Sequence, residues 1–164
     1  MTVQIAVCGP AHCTATDEQH AYQIGQLLAE RGATVICGGG SGVMAAVAAG
    51  VRSRAGTVIG IHPGPDRTDA SPHLSLTLAT NLGQARNAII VHSADAVIAI
   101  GGSWGTLSEI ALAMRRGTIP VVTLGGWQII DANGNPIPGP VPVTTPQEAV
   151  DTALANTAGT THTN

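Results

Sequence analysis

The chain has 164 residues, 44% of them apolar and only 10% charged, with a formal net charge of −3. That is enough apolar material for one packed domain and too ordered a composition for disorder. All seven fixed positive charges are Arg, so Schiff-base chemistry and a Walker-A phosphate loop, which both require Lys, are excluded.

The arginines are scattered and the aromatics are few (Tyr22, Trp104, Trp127), which argues against nucleic acid as a partner. No signal peptide and no membrane-length apolar run is read. Cys8, Cys13 and Cys37 have neither disulfide nor zinc spacing. These features predict a cytoplasmic protein with no metal site and no membrane partner. The low charge has two readings: a surface buried against further copies of the chain, or a compositional bias.

Short apolar runs alternate with helical patterns, which predicts a Rossmann-like α/β three-layer sandwich with a mostly parallel sheet. Val3–Cys8 reads as the first strand. Thr16-Asp17-Glu18-Gln19 is a capping-box start, and Ala21, Ile24, Leu27 and Leu28 form a helical stripe ended by Gly32. Thr34–Cys37 is the second strand, followed by a glycine-rich turn and a small-residue helix over Val43–Arg54.

Thr57–Ile61 reads as a strand, residues 62–73 as a loop and Leu76–Ala79 as a short strand. A helix over Gln84–Ser93 leads into a strand at Ala96–Ile100 and a second glycine turn. The helix after it, from Leu107 to Arg116, has a capping box of its own in Thr106-Leu107-Ser108-Glu109. Pro120–Leu124 is a strand, and residues 131–135 are turn chemistry. Thr145-Pro146-Gln147-Glu148 caps a last helix. One domain over residues 1–155 and a flexible tail over 156–164 are expected.

Two glycine turns lie where a parallel sheet places its ligands, beyond the carboxyl ends of strands. The first is Gly39, Gly40, Ser41 and Gly42, and the second is Gly101, Gly102, Ser103, Gly105 and Thr106. Glycine admits a close anion, and the helix that follows offers free N–H groups and the positive end of its dipole. The partner expected is therefore a phosphorylated small molecule. The first turn also fits the loose dinucleotide pattern. It follows the second strand, however, and no acid stands where a ribose needs one.

Glu109 has two readings. It completes the capping box with Thr106, or it faces a sugar whose anomeric carbon becomes cationic. Arg86 is a solvated helix charge, or it pairs with Glu109 or with the ligand's phosphate. Trp104 inside the turn must cover a ligand ring or a subunit neighbour. Cys8 and Cys37, which end adjacent strands, read as small core residues, and His12 as exposed.

The run Gly101-Gly102-Ser103-Trp104-Gly105-Thr106-Leu107-Ser108-Glu109 resembles the G-G-x-G-T-x-x-E signature of the Lonely-guy, or lysine-decarboxylase-like, superfamily. Gly38-Gly39-Gly40-Ser41-Gly42-Val43-Met44 is similar to that superfamily's first glycine loop. With Arg86-Asn87, the set most resembles the branch of molybdenum cofactor carrier proteins. That resemblance implies carrier-like binding of a nucleotide or molybdopterin-type ligand, the molybdenum cofactor included, in a homodimer or homotetramer. The superfamily's hydrolase branch implies a nucleoside 5′-monophosphate phosphoribohydrolase, whose catalytic pair would be Glu109 and Arg86. Ile100 and Asn87 depart from that branch, which has Pro and Lys there. Lysine decarboxylation is excluded by the absence of Lys.

Overall fold

In the computed structural model, residues 1–155 and 157 are described. The strands are β1 (Gln4–Cys8), β2 (Thr34–Cys37), β3 (Val58–His62), β4 (Leu76–Ala79), β5 (Ala96–Ile100), β6 (Val121–Leu124) and β7 (Val141–Val143). The helices are α1 (Ala15–Glu30), α2 (Val43–Ser53), α3 (Asn87–His92), α4 (Trp104–Arg116) and α5 (Pro146–Ala155). The tail expected from residue 156 lies outside the described residues, Thr157 apart.

The strands form one sheet in the order β4-β3-β2-β1-β5-β6-β7, and every neighbouring pair is parallel. This is a Rossmann-like α/β fold. The chain winds outward from β1 to β4, then returns to lay β5 on the other side of β1. The order therefore reverses between β1 and β5, and a crevice opens there at the carboxyl ends.

Burial follows from the layers. All five residues of β5 are buried, as expected of a central strand covered on both faces. The edges differ: β4 and β7 are largely exposed. Sequence reading did not assign β7, a three-residue strand with Pro142 at its centre. Proline cannot donate to a ladder, so an edge is where it is tolerated.

The faces carry separate cores. Ile5, Val7, Val35, Ile98 and Ile100 meet Ile24, Leu28, Val47 and Val150 of α1, α2 and α5. Ala6, Ile36, Val97 and Ala99 meet Ile90 and Val91 of α3 and Ile110 and Ala113 of α4. Cys37 belongs to the first cluster and Cys8 to the second, so the two thiols lie on opposite faces of the sheet.

Several element ends differ from expectation for local reasons. The N-cap of α1 is Thr14, not Thr16. Asp17 N donates to Thr14 Oγ1 at 3.1 Å, while Asp17 Oδ2 accepts from Thr14 N and Oγ1. The helix expected over Gln84–Ser93 begins as a 3-10 turn at Gly83–Arg86 and becomes α-helical at Asn87. α1 and α2 pack on each other through glycine: a Cβ on Gly50 would collide with the backbone of Tyr22, and one on Gly25 with that of Val47. Among the described residues no helix is long and apolar enough to cross a membrane.

Candidate functional site

The crevice between β1 and β5 is a cleft of about 190 Å³. One wall is the loop after β1, Gly9, Pro10 and Ala11. Opposite stand Ser103, Gly105, Thr106 and Glu109 at the start of α4. Gln84, Arg86 and Asn87 close the side, and Met44 supplies an apolar thioether.

The start of α4 rules out the capping reading of Glu109. Its N-cap is Ser103, whose extended backbone (φ −157, ψ 168) lets Oγ accept from Thr106 N at 3.1 Å. Thr106 is thus the third helical residue and does not cap, and Glu109 lies a further turn along. The capping-box reading of Thr106 and Glu109 is corrected accordingly. Ser103→Ala should cost about 1 kcal/mol, measured by denaturant unfolding, because it removes the cap. The same change at Ser108, which leaves the cap intact, should cost less.

Freed from capping, Glu109 turns inward and is 6% exposed. Arg86, 7% exposed, places Nη1 at 4.0 Å from Glu109 Oε1. Its Nη2 donates to Gly38 O at 3.5 Å. Arg86 is therefore no solvated helix charge but the one cation on the cleft wall. Burial pushes the Glu109 carboxyl up to about 7, with the Arg86 guanidinium and the Cys8 thiol pulling the other way. A carboxyl poised there can hold or release a proton at neutral pH. Burial also raises both buried thiols, Cys8 well above its ordinary value and Cys37 to about 11. Neither is a thiolate nucleophile at neutral pH.

The second glycine turn divides. Ser103, Gly105 and Thr106 line the cleft, whereas Gly101 and Gly102 line only a space of about 10 Å³ beside Trp127, which Ser103 and Thr106 also border. Gly101 (φ 64) backs onto the Asp17 carboxylate, and a Cβ on Gly102 would meet the Trp127 ring. Gly105 is helical, and a Cβ there would meet nothing nearer than Ser103 Oγ at 3.7 Å.

Gly39, Gly40, Ser41 and Gly42 do not line the cleft. Gly42 (φ 62) admits the carbonyls of Pro10 and Ala11, which a Cβ would strike. Val43 N donates to Pro10 O, and Ser41 Oγ to Ala11 O. Gly39 packs against Gly60, and Gly40 against Met44. This turn seats the β1–α1 loop, which in turn forms a cleft wall.

Trp104 is 78% exposed and meets Trp127 edge to face, with ring centroids 4.9 Å apart. It belongs to neither cavity wall. Sequence reasoning did not single out Gly9, Pro10, Ala11, Met44 or Gln84. Gly9-Pro10 directly after the first strand was the available signal, since that strand borders the reversal of strand order. Among the described residues no group of three or more His, Cys, Asp or Glu is placed to hold a metal.

The chain is similar in sequence and fold to known proteins. The model of the SLOG cluster4 family matches residues 2–150. A solved molybdenum cofactor binding protein from Rippkaea orientalis is similar at 34% identity and a TM-score of 0.81, covering 92% of this chain and 94% of that one. The molybdenum cofactor carrier protein of Chlamydomonas reinhardtii is similar at 28% identity and a TM-score of 0.76, again covering 92% and 94%. A probable cytokinin riboside 5′-monophosphate phosphoribohydrolase of Oryza sativa subsp. japonica is 37% identical over 93 residues. That match covers 55% of this chain and 38% of the rice protein.

Proposed function

Because the chain belongs to the SLOG cluster4 family, we propose that its cleft binds a phosphate-bearing small molecule of the molybdopterin type and holds it as a carrier does. The observation that carries this reading is the meeting, in one cleft, of the α4 N-terminus with the buried Arg86. A helix N-terminus offers its first N–H groups and dipole to an anion, and a guanidinium is the side chain suited to a phosphate.

The residues present fit such a ligand. Arg86 and the backbone at Gly105 would hold the phosphate, with Thr106 Oγ1 beside them. Buried polar atoms left without partners, Arg86 Nε and Asn87 Oδ1, suit a polar ring or linker. The volume is below the roughly 300–1,000 Å³ usual for small-molecule pockets, so the cleft takes the phosphate end while the ring extends toward its mouth. Molybdenum would travel as part of the cargo. Fluorescence or mass spectrometry of the ligand released from freshly purified protein tests this. A phosphorylated pterin supports it, and an unphosphorylated ligand contradicts it.

A second reading, a nucleoside 5′-monophosphate phosphoribohydrolase, is favoured by one observation: Glu109 is buried, faces Arg86 and has its carboxyl held near 7. A carboxylate there would stabilise the cationic sugar carbon as the base departs. Base released from adenosine 5′-monophosphate, followed by chromatography, separates this reading from the carrier one. In either case we place the protein in solution as a homodimer or homotetramer in the cytoplasm. The low surface charge supports assembly. Light scattering at micromolar concentration should show more than one chain per particle, and a monomer would contradict the assembly.

A further inference from the structure

Asn87 is 2% exposed, lines the cleft, and leaves Oδ1 with no hydrogen-bond partner. Its orientation is settled by a relay. Ser108 Oγ donates to Gly105 O at 2.7 Å, so that hydroxyl can only accept from a further group. Asn87 Nδ2 supplies the hydrogen, donating to Ser108 Oγ at 2.8 Å. A flipped amide would set two acceptors against each other. Ser108 therefore holds the amide nitrogen, and Oδ1 is left as an acceptor that protein atoms do not satisfy.

A buried acceptor without a partner is costly, and on a cleft wall a ligand can supply what is missing. We propose that Asn87 is a specificity-determining residue: its Oδ1 accepts a hydrogen bond from an uncharged O–H or N–H of the ligand, with Ser108 as the residue that positions it. This rests on the reading of the cleft as a phosphate-ligand site and adds what the phosphate cannot provide. Phosphate is read by Arg86 and the α4 N-terminus. The neutral donor is read by Asn87. The chemistry has three sources: a sugar hydroxyl, a ring lactam N–H or an exocyclic amino N–H.

Four probes separate these by calorimetry: inorganic phosphate, adenosine 5′-monophosphate, its 2′,3′-dideoxy analogue, and guanosine 5′-monophosphate. Asn87→Leu keeps the branched shape and removes both the acceptor and the Nδ2 donor to Ser108. It should weaken the donor-bearing nucleotide by about tenfold, the worth of one hydrogen bond, and leave inorganic phosphate unchanged. Its melting temperature should change little, since the loss of the orphaned acceptor offsets the loss of the hydrogen bond to Ser108. A loss seen with adenosine 5′-monophosphate but not with the dideoxy analogue assigns the donor to the sugar, and a loss seen with both but not with inorganic phosphate assigns it to the exocyclic amino group. A loss confined to guanosine 5′-monophosphate assigns it to the lactam.

Ser108→Ala should give a smaller loss of the same selectivity, and Ser108→Thr, which keeps the hydroxyl, should restore it. The proposal is overturned if Asn87→Leu weakens all four probes alike, if it weakens none, or if Ser108→Thr behaves as Ser108→Ala does. Wild-type protein that binds none of the four removes the cleft reading itself, and this proposal with it.

Discussion

Gly105→Val should abolish ligand binding without harming the fold. Gly105 is helical and lines the cleft, and its added Cβ would meet no atom nearer than 3.7 Å. Strain is absent, because the residue has no positive φ. Stability should therefore stay within about 0.5 kcal/mol of wild type. The isopropyl group, however, would stand where the phosphate must approach the backbone. Affinity for a phosphorylated ligand should fall at least about 100-fold, roughly 3 kcal/mol. Calorimetric titration, with circular dichroism as the fold control, measures both. Retained affinity would reduce this stretch of α4 to a turn.

Glu109→Gln should change two properties at once. In the folded chain the carboxyl is held near 7, against 4.5 ordinarily, chiefly by burial. The native state thus binds this proton more tightly than the unfolded state does. The associated stability is fully present below pH 4.5 and is lost as pH rises through about 7. That gap corresponds to about 3 kcal/mol. Wild-type stability, corrected for other groups by the variant itself, should fall over this window, and Glu109→Gln should lose that slope. A variant with the wild-type slope would mean that Glu109 titrates as an exposed carboxyl does.

The variant also tests the hydrolase reading. If the wild type releases base from nucleoside monophosphates, Glu109→Gln should lower the rate by about 100-fold or more while binding persists. An unchanged rate would remove Glu109 from the chemistry. Wild-type protein without turnover on any monophosphate leaves the carrier reading in place.

The sheet was legible because its signals are local. Residues 34–37 and 96–100 are short, mostly apolar runs each followed by glycine, and both strands have the expected ends. β7 was not legible, since three residues around a proline carry no period. Two caps lie two and three residues before the expected positions, at Thr14 and Ser103. Ser103 and Thr106 stand three residues apart, and each begins a plausible cap. The structure has the cap at Ser103, with Glu109 against Arg86 a turn further on.

The site was partly legible for a similar reason. Arg86, Ser103, Gly105, Thr106 and Glu109 do meet around one cleft. Gly39, Gly40, Ser41 and Gly42 have the same glycine-rich pattern, but carbonyls of Pro10 and Ala11 crowd Gly42, the last of them. Pattern alone cannot tell a backbone that admits an anion from one that admits another loop. The relay from Gly105 through Ser108 to Asn87 joins α4 to α3 and is invisible without the fold.

The most direct test is a crystal structure of the protein grown with phosphate or a nucleoside 5′-monophosphate. A phosphate is expected in the cleft, hydrogen-bonded to the backbone N–H of Gly105 and to the guanidinium of Arg86, at roughly 2.7–3.2 Å. A phosphate bound at the first glycine turn instead, or an empty cleft at saturating ligand, would contradict it.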